Sequence, residues 1–243
     1  AQIAAHCANA GLKVFAFDMK QDIAESGIEK ATSIKPKAFY DKKDISLIEC
    51  CNYDDHLEKL KECDWIIEVI SERLDWKQDL YKRITPYVNG KIVTSNTSGI
   101  SLDELTEGME DNFKKNFFIT HFFNPPRYMK LVEFIYSNLN SKELISEMAQ
   151  FMEDRLGKGI VYAKDTPNFI ANRIGVFGMM VTVNEAIKRK INIEDVDALT
   201  GTIIGRPKSA TFRTADVVGL DVMQFVANTA YNKCKNDKYR DQY

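Results

Sequence analysis

Short β-branched and aromatic runs, separated by helix-length amphipathic stretches, restrict this chain more than any other feature. LKVFAFD (12–18), WIIEVI (65–70), KIVTS (91–95) and FFITHFF (117–123) are runs of strand length. Helical patterns lie between them at residues 75–84 and 101–107. A further one precedes the first run, where Ile3, Ala4, Cys7 and Ala8 share a face and Gly11 stands at a C-cap position. Helical connections between strands cross over the faces of a sheet, so the alternation predicts a parallel sheet covered on both sides. One pair departs from it. LVEFI (131–135) follows FFITHFF after only seven residues, too few for a helical crossover, so these two are expected to pair as a hairpin.

A helix over about 141–156 leads into GIVYAKDTPNF, and beyond Pro167 the pattern is helical almost throughout. Pro167 suits the N-terminal edge of a helix with Phe169, Ile170, Ile174, Phe177, Met180 and Val181 on one face. Further helices are expected over 192–204 and 216–232. The change of pattern near 162–165 divides the chain into an α/β domain, residues 1–163, and a mainly helical domain, residues 164–243. Apolar faces on short helices that cannot complete their own core point to cover by a second subunit, hence a homodimer through the helical domain.

A formal net charge of −2 leaves no electrostatic footprint for nucleic acid or an anionic membrane. The apolar stretch IGVFGMMVTVN falls well short of the ~20 residues needed to cross a bilayer. The five cysteines have no paired CxxC spacing, so reduced thiols are expected rather than a disulfide framework or a metal site.

A helix followed by a strand ending in an acidic residue is what comes after the glycine turn of a dinucleotide-binding βαβ unit. Asp18 ends such a strand. There a carboxylate accepts from ribose hydroxyls and repels a 2′-phosphate, which favours NAD over NADP; a simple turn-capping carboxylate is the alternative. No GxGxxG occurs near the start of the chain. The glycine turn and a first, central strand, roughly 10–14 residues, are therefore expected upstream of Ala1. On that reading strands 12–18 and 65–70 do not pair with each other.

The stretch THFFNPPRYMKLVEF places His121 and Glu133 in an otherwise apolar segment, twelve positions apart. A hairpin turning around residues 124–130 returns Glu133 alongside His121. An imidazole with a carboxylate on one ring nitrogen is a general base of fixed tautomer. A passive strand-end histidine and a solvent-facing glutamate are the alternative.

ERLDWKQ, TSNTSGISLDEL, HFFNPPRYMKLVE, KDTPNFIANRI and GRPKSATFRTADVVGLD occur together, in that order. With them nearly the whole chain resembles the L-3-hydroxyacyl-CoA dehydrogenases of fatty-acid β-oxidation. It is most similar to the dehydrogenase part of long bacterial multifunctional proteins. The resemblance implies a Rossmann-like NAD-binding domain followed by a helical domain, with parts of the parent protein lying beyond both ends. It also implies NAD as cofactor and an acyl-CoA substrate in the cleft between the domains. His121 is implied as base and Glu133 as its partner, Ser98 as contact of the nicotinamide side and the substrate oxygen, and Asn172 as a substrate-side residue. Glu72 and Lys77 are implied on the nicotinamide ribose side, and Asn124 on the cofactor side.

Each of these has a plainer reading: an N-cap for Ser98, a turn former for Asn124, an interface hydrogen bond for Asn172, and an exposed ion pair for Glu72 and Lys77. Lys35 and Lys37 could neutralise coenzyme A phosphates, although solvated lysines are commoner; Cys50, Cys51 and His56 match no family position, and His6, on the first helix, is read as structural. Asn168 stands where the family usually has glycine, a substitution that asparagine's tolerance of positive φ can accommodate. The expected location is cytoplasmic in a bacterium, with a mitochondrial matrix as the other option. Two rivals stand beside this reading: another hydroxyacid dehydrogenase, such as the 3-hydroxyisobutyrate type with its catalytic lysine, and a non-catalytic protein that keeps the fold.

Overall fold

The computed structural model describes all residues, 1–243. It divides into two compact units: residues 1–97 with 102–164, and residues 98–101 with 165–243.

The first unit opens with helix α1 (Gln2–Asn9), strand β1 (Val14–Asp18), helix α2 (Gln21–Ser33) and strand β2 (Ile48–Asn52). β1 and β2 pair in parallel, Val14 opposite Ile48 through Asp18 opposite Asn52. β3 (Trp65–Glu68), α3 (Leu74–Ile84), β4 (Ile92–Ser95), the short helices α4 (Leu102–Leu105) and α5 (Asp111–Lys115), and β5 (Phe117–Phe122) follow. β6 (Leu131–Ile135), α6 (Lys142–Leu156) and β7 (Gly159–Ala163) complete the unit. A second sheet has the order β3-β4-β5-β6-β7, with the β5–β6 pair antiparallel and every other pair parallel. β1 and β3 lie in separate sheets and do not pair, as expected. β2 was not anticipated: IECCN is poor in strand formers, and its pairing with β1 compensates. β7, too, was read only as a lead-in to the helical region.

Phe118, Phe122, Val132 and Phe134 of the β5–β6 hairpin pack against Ile145, Met148, Met152 and Leu156 of α6. Each such side chain contributes on the order of 1.5–3 kcal/mol of transfer free energy, so the hairpin and α6 form one rigid block. α6 is closed at both ends. Ser141 accepts from the Leu144 amide at 3.1 Å, and Gly157 takes the left-handed conformation at φ 64° while the Lys158 amide donates to the Met152 carbonyl.

The second unit holds α7 (Ala171–Arg189), α8 (Ile193–Thr200), α9 (Phe212–Val218) and α10 (Leu220–Lys233). α7 begins at Ala171, not beside Pro167, because Asn168 and Phe169 take φ of 63° and 50° and form a turn first. The helix expected over 216–232 is two helices, broken at Gly219, whose φ of 101° belongs to no helix. The face expected to be apolar and buried is only partly so: Phe169 is buried, whereas Ile174 is 67% exposed. The core here is small, built on Val176, Val226 and Ala227. No helix in the chain is long and apolar enough to cross a membrane.

Candidate active site

In the β5–β6 hairpin His121 lies directly opposite Glu133. Neighbours opposed on an antiparallel pair project to the same side, and the His121 Nδ1 meets Glu133 Oε2 at 2.8 Å. Both side chains are buried, at 3% and 1% exposed. A carboxylate on Nδ1 holds the proton there and leaves Nε2 as the basic nitrogen. The register of the hairpin thus sets tautomer and ring orientation together. The Phe123 ring packs beside the imidazole, centroids 4.5 Å apart.

At the ends of β3 and β4 lies a buried polar network that the sequence reading missed. Glu68, in the middle of WIIEVI, is 3% exposed. Its carboxylate accepts from Lys77 Nζ at 2.7 Å, the Ile70 amide at 2.7 Å, Tyr81 Oη at 2.7 Å and Ser95 Oγ at 2.6 Å. Four donors compensate the desolvation of one buried charge. Lys77 Nζ also lies 3.5 Å from Glu72, and Glu72 accepts from the Thr97 hydroxyl. Lys77 is 1% exposed, which rules out an exposed ion pair with Glu72; its ammonium lies beneath Glu72. The signal was available: a carboxylate in a run destined for a doubly covered sheet needs partners, and a lysine nine positions downstream is one. Burial and the adjacent Glu68 charge push the Tyr81 hydroxyl pKa well up.

Asn96 ties this region to the hairpin, its Oδ1 accepting from the Phe122 amide at 2.8 Å. Asn124 lies exposed in the loop between β5 and β6. That loop is fastened to the segment after α2: Arg127 donates to the carbonyls of Lys37 and Phe39 at 2.7 and 3.1 Å, and Tyr128 Oη to that of Lys37 at 3.1 Å. The Arg127 guanidinium also stacks on Tyr40, 3.7 Å from the ring centroid. Lys35 and Lys37 have exposed side chains on this segment.

Asp18, half-exposed at the end of β1, accepts from the Met19 amide at 2.7 Å. It lines a concavity of about 520 Å³ together with Ala1, Phe17, Asp22 and Gly27. An anionic acceptor at the mouth of such a concavity fits a ribose diol and opposes a phosphate on it. NAD therefore suits the residues present.

In the second unit Asn172 Nδ2 donates to the Ser98 carbonyl at 3.3 Å. Ser98 is not an N-cap, since α4 begins only at Leu102. Asn168 is fully buried; its Nδ2 donates to the Val226 carbonyl at 2.7 Å while its Oδ1 has no partner. A side chain at Gly99 would press on that oxygen, its Cβ only 3.1 Å away. His56 accepts from the Asn52 amide at 3.1 Å and braces a turn, and all five cysteines are free. Nowhere do three or more His, Cys, Asp or Glu side chains gather as metal ligands would.

Residues 1–166 match the family described as 3-hydroxyacyl-CoA dehydrogenase, NAD binding domain. Residues 169–243 match the corresponding C-terminal domain. A probable 3-hydroxyacyl-CoA dehydrogenase of Bacillus subtilis is 44% identical over 97% of this chain, which spans 33% of that protein's length. One of Deinococcus radiodurans is 43% identical over 93% of this chain and 68% of its own. Among solved structures, (S)-3-hydroxybutyryl-CoA dehydrogenase PaaH1 from Ralstonia eutropha superposes with a TM-score of 0.78 at 27% identity, over 98% of this chain and 85% of that one. The chain belongs to the 3-hydroxyacyl-CoA dehydrogenase family, with that family's NAD-binding domain followed by its C-terminal domain.

Proposed function

We propose that this chain carries NAD-dependent oxidation of an L-3-hydroxyacyl-CoA to the 3-oxoacyl-CoA, as a step of fatty-acid β-oxidation. The observation that carries the reading is the buried 2.8 Å contact between His121 Nδ1 and Glu133 inside a family-matched NAD-binding domain. Bound NAD supplies the acceptor for the hydride. His121 Nε2 takes the hydroxyl proton as the alcohol carbon gives up its hydride, and Glu133 stabilises the imidazolium that forms. Ser98 shares the substrate oxygen, since its hydroxyl can donate to a ketone or accept from an alcohol. Asn172, bonded to the Ser98 carbonyl, serves the substrate side.

On the cofactor side Asp18 accepts from the adenosine ribose and Glu72 from the nicotinamide ribose, and Asn124 also contacts the cofactor. Lys77 acts through Glu72, which it holds from below. The helical unit pairs with a second copy of the chain, and free thiols throughout suit a reducing cytoplasm.

NADH-dependent reduction of acetoacetyl-CoA by the full-length protein tests the reading. His121→Gln is expected to lower the rate by on the order of 10²–10⁴, the usual worth of a positioned general acid–base. Undiminished turnover in that variant would remove His121 from the mechanism; no turnover by the unaltered protein would favour a binding or structural role.

A further inference from the structure

Lys158 stands between α6 and β7 with only 5% of its surface exposed. Its ammonium donates to two backbone carbonyls of the β5–β6 loop, that of Pro126 and, at 3.0 Å, that of Met129. The lysine itself is anchored on both sides. Its amide closes the C-terminal turn of α6 by donating to Met152, and the next amide, of Gly159, donates to the Lys130 carbonyl at 2.8 Å. From α1, His6 and Cys7 lie within electrostatic reach of the ammonium, and Arg127 of the loop acts on His6 as well; the Phe122 ring lies 5.8 Å away. No carboxylate acts on the ammonium.

We propose that Lys158 is a positioning residue that clamps the 123–130 loop from beneath and so sets where that loop presents Asn124 to the cofactor. The inference rests on the cofactor-side reading of Asn124 given above. A buried ammonium without a counter-ion costs folding free energy, and an apolar side chain of similar volume would avoid that cost. What the lysine provides is a fixed distance between the end of α6, part of the rigid hairpin block, and two carbonyls following Asn124. Arg127 and Tyr128 hold the same loop from its outer side. Without Lys158 the loop keeps its outer fastening and loses the inner one, so the expected defect is in the placement of Asn124 rather than in folding. Burial pushes the Lys158 pKa down to about 8, so the clamp weakens as the ammonium deprotonates on the alkaline side.

Lys158→Met and Lys158→Gln in the full-length protein test this, read by NAD binding in calorimetry and by oxidation of 3-hydroxybutyryl-CoA. Lys158→Met is expected to raise the Kd and KM for NAD about 10-fold, ~1.4 kcal/mol, with kcat changed less and Tm within a few degrees. Lys158→Gln, which keeps a neutral donor of shorter reach, should lie between. In the unaltered protein the affinity for NAD should fall as pH rises through about 8, and in Lys158→Met it should not. Unchanged NAD affinity in both variants, or an identical alkaline fall in all three proteins, would overturn the clamp. Should Lys158→Met not fold, Lys158→Gln and the pH profile of the unaltered protein decide. Absence of oxidation by the unaltered protein would count against the functional reading alone, because the binding measurements still report on the clamp.

Discussion

His6 and His121 are both buried, at 6% and 3% exposed, yet their ring nitrogens meet opposite surroundings. His121 has a carboxylate on Nδ1, which fixes the orientation of its ring. His6 bonds through Nε2 to the Leu156 carbonyl at 3.1 Å, and its Nδ1 has no partner. Burial, aided by the nearby Lys158 charge, lowers the His6 pKa from 6.5 to about 4. A depressed histidine resists protonation in the fold while the unfolded chain takes up the proton freely. Its contribution to stability is therefore present above about pH 6.5 and is lost as pH falls toward 4. Urea melts at pH 6.5 and 4.5 should show a loss on the order of 2 kcal/mol. In His6→Gln, which keeps a donor toward Leu156, that loss should shrink measurably; an equal loss in both proteins would assign the acid sensitivity elsewhere. Asn168 illustrates the limit of reading single residues. Its capacity for positive φ was evident from its type, and the structure has it at 63°. Its anchorage to the Val226 carbonyl, 58 positions away, was not.

Elements were legible where pattern and punctuation agreed. The β5–β6 hairpin followed from a connection too short for any crossover, and α6 from Ser141 at one end and Gly157 at the other. β2 was missed because cysteine and glutamate carry little strand signal, and a strand with few strand formers exists only through its partner. The break at Gly219 was missed because an isolated glycine within a helical pattern is usually tolerated. Gly157 makes the element-scale prediction. At φ 64° a side chain there meets nothing within 4 Å, so Gly157→Ala acts through backbone conformation alone. It should cost about 1 kcal/mol and lower Tm by roughly 2–4 °C, measurable by calorimetry. An unchanged Tm would mean that α6 can end without the left-handed turn.

At the scale of the whole molecule, the helical unit leaves Ile174, Ile187, Ile203, Val217 and Leu220 exposed by 64–75%. Apolar surface of that extent calls for cover, and we expect a dimer formed through these helices. Light scattering on the purified protein at micromolar concentration should give twice the subunit mass, and Ile203→Lys combined with Val217→Lys should shift it toward the monomer. A monomer in the unaltered protein would remove the reading. The alternation of strands and helices, the hairpin, the family motifs and the His121–Glu133 pairing were all decided by local pattern, because strand periodicity and loop length act over a few residues. That Glu68 needs partners follows from the sequence, but the closure of the Glu68–Lys77–Tyr81–Ser95 network and the Lys158 clamp were decided by the tertiary fold. A buried charge finds its partners wherever packing brings donors and acceptors together, and separations of 9 to 32 positions in the chain carry no periodic trace.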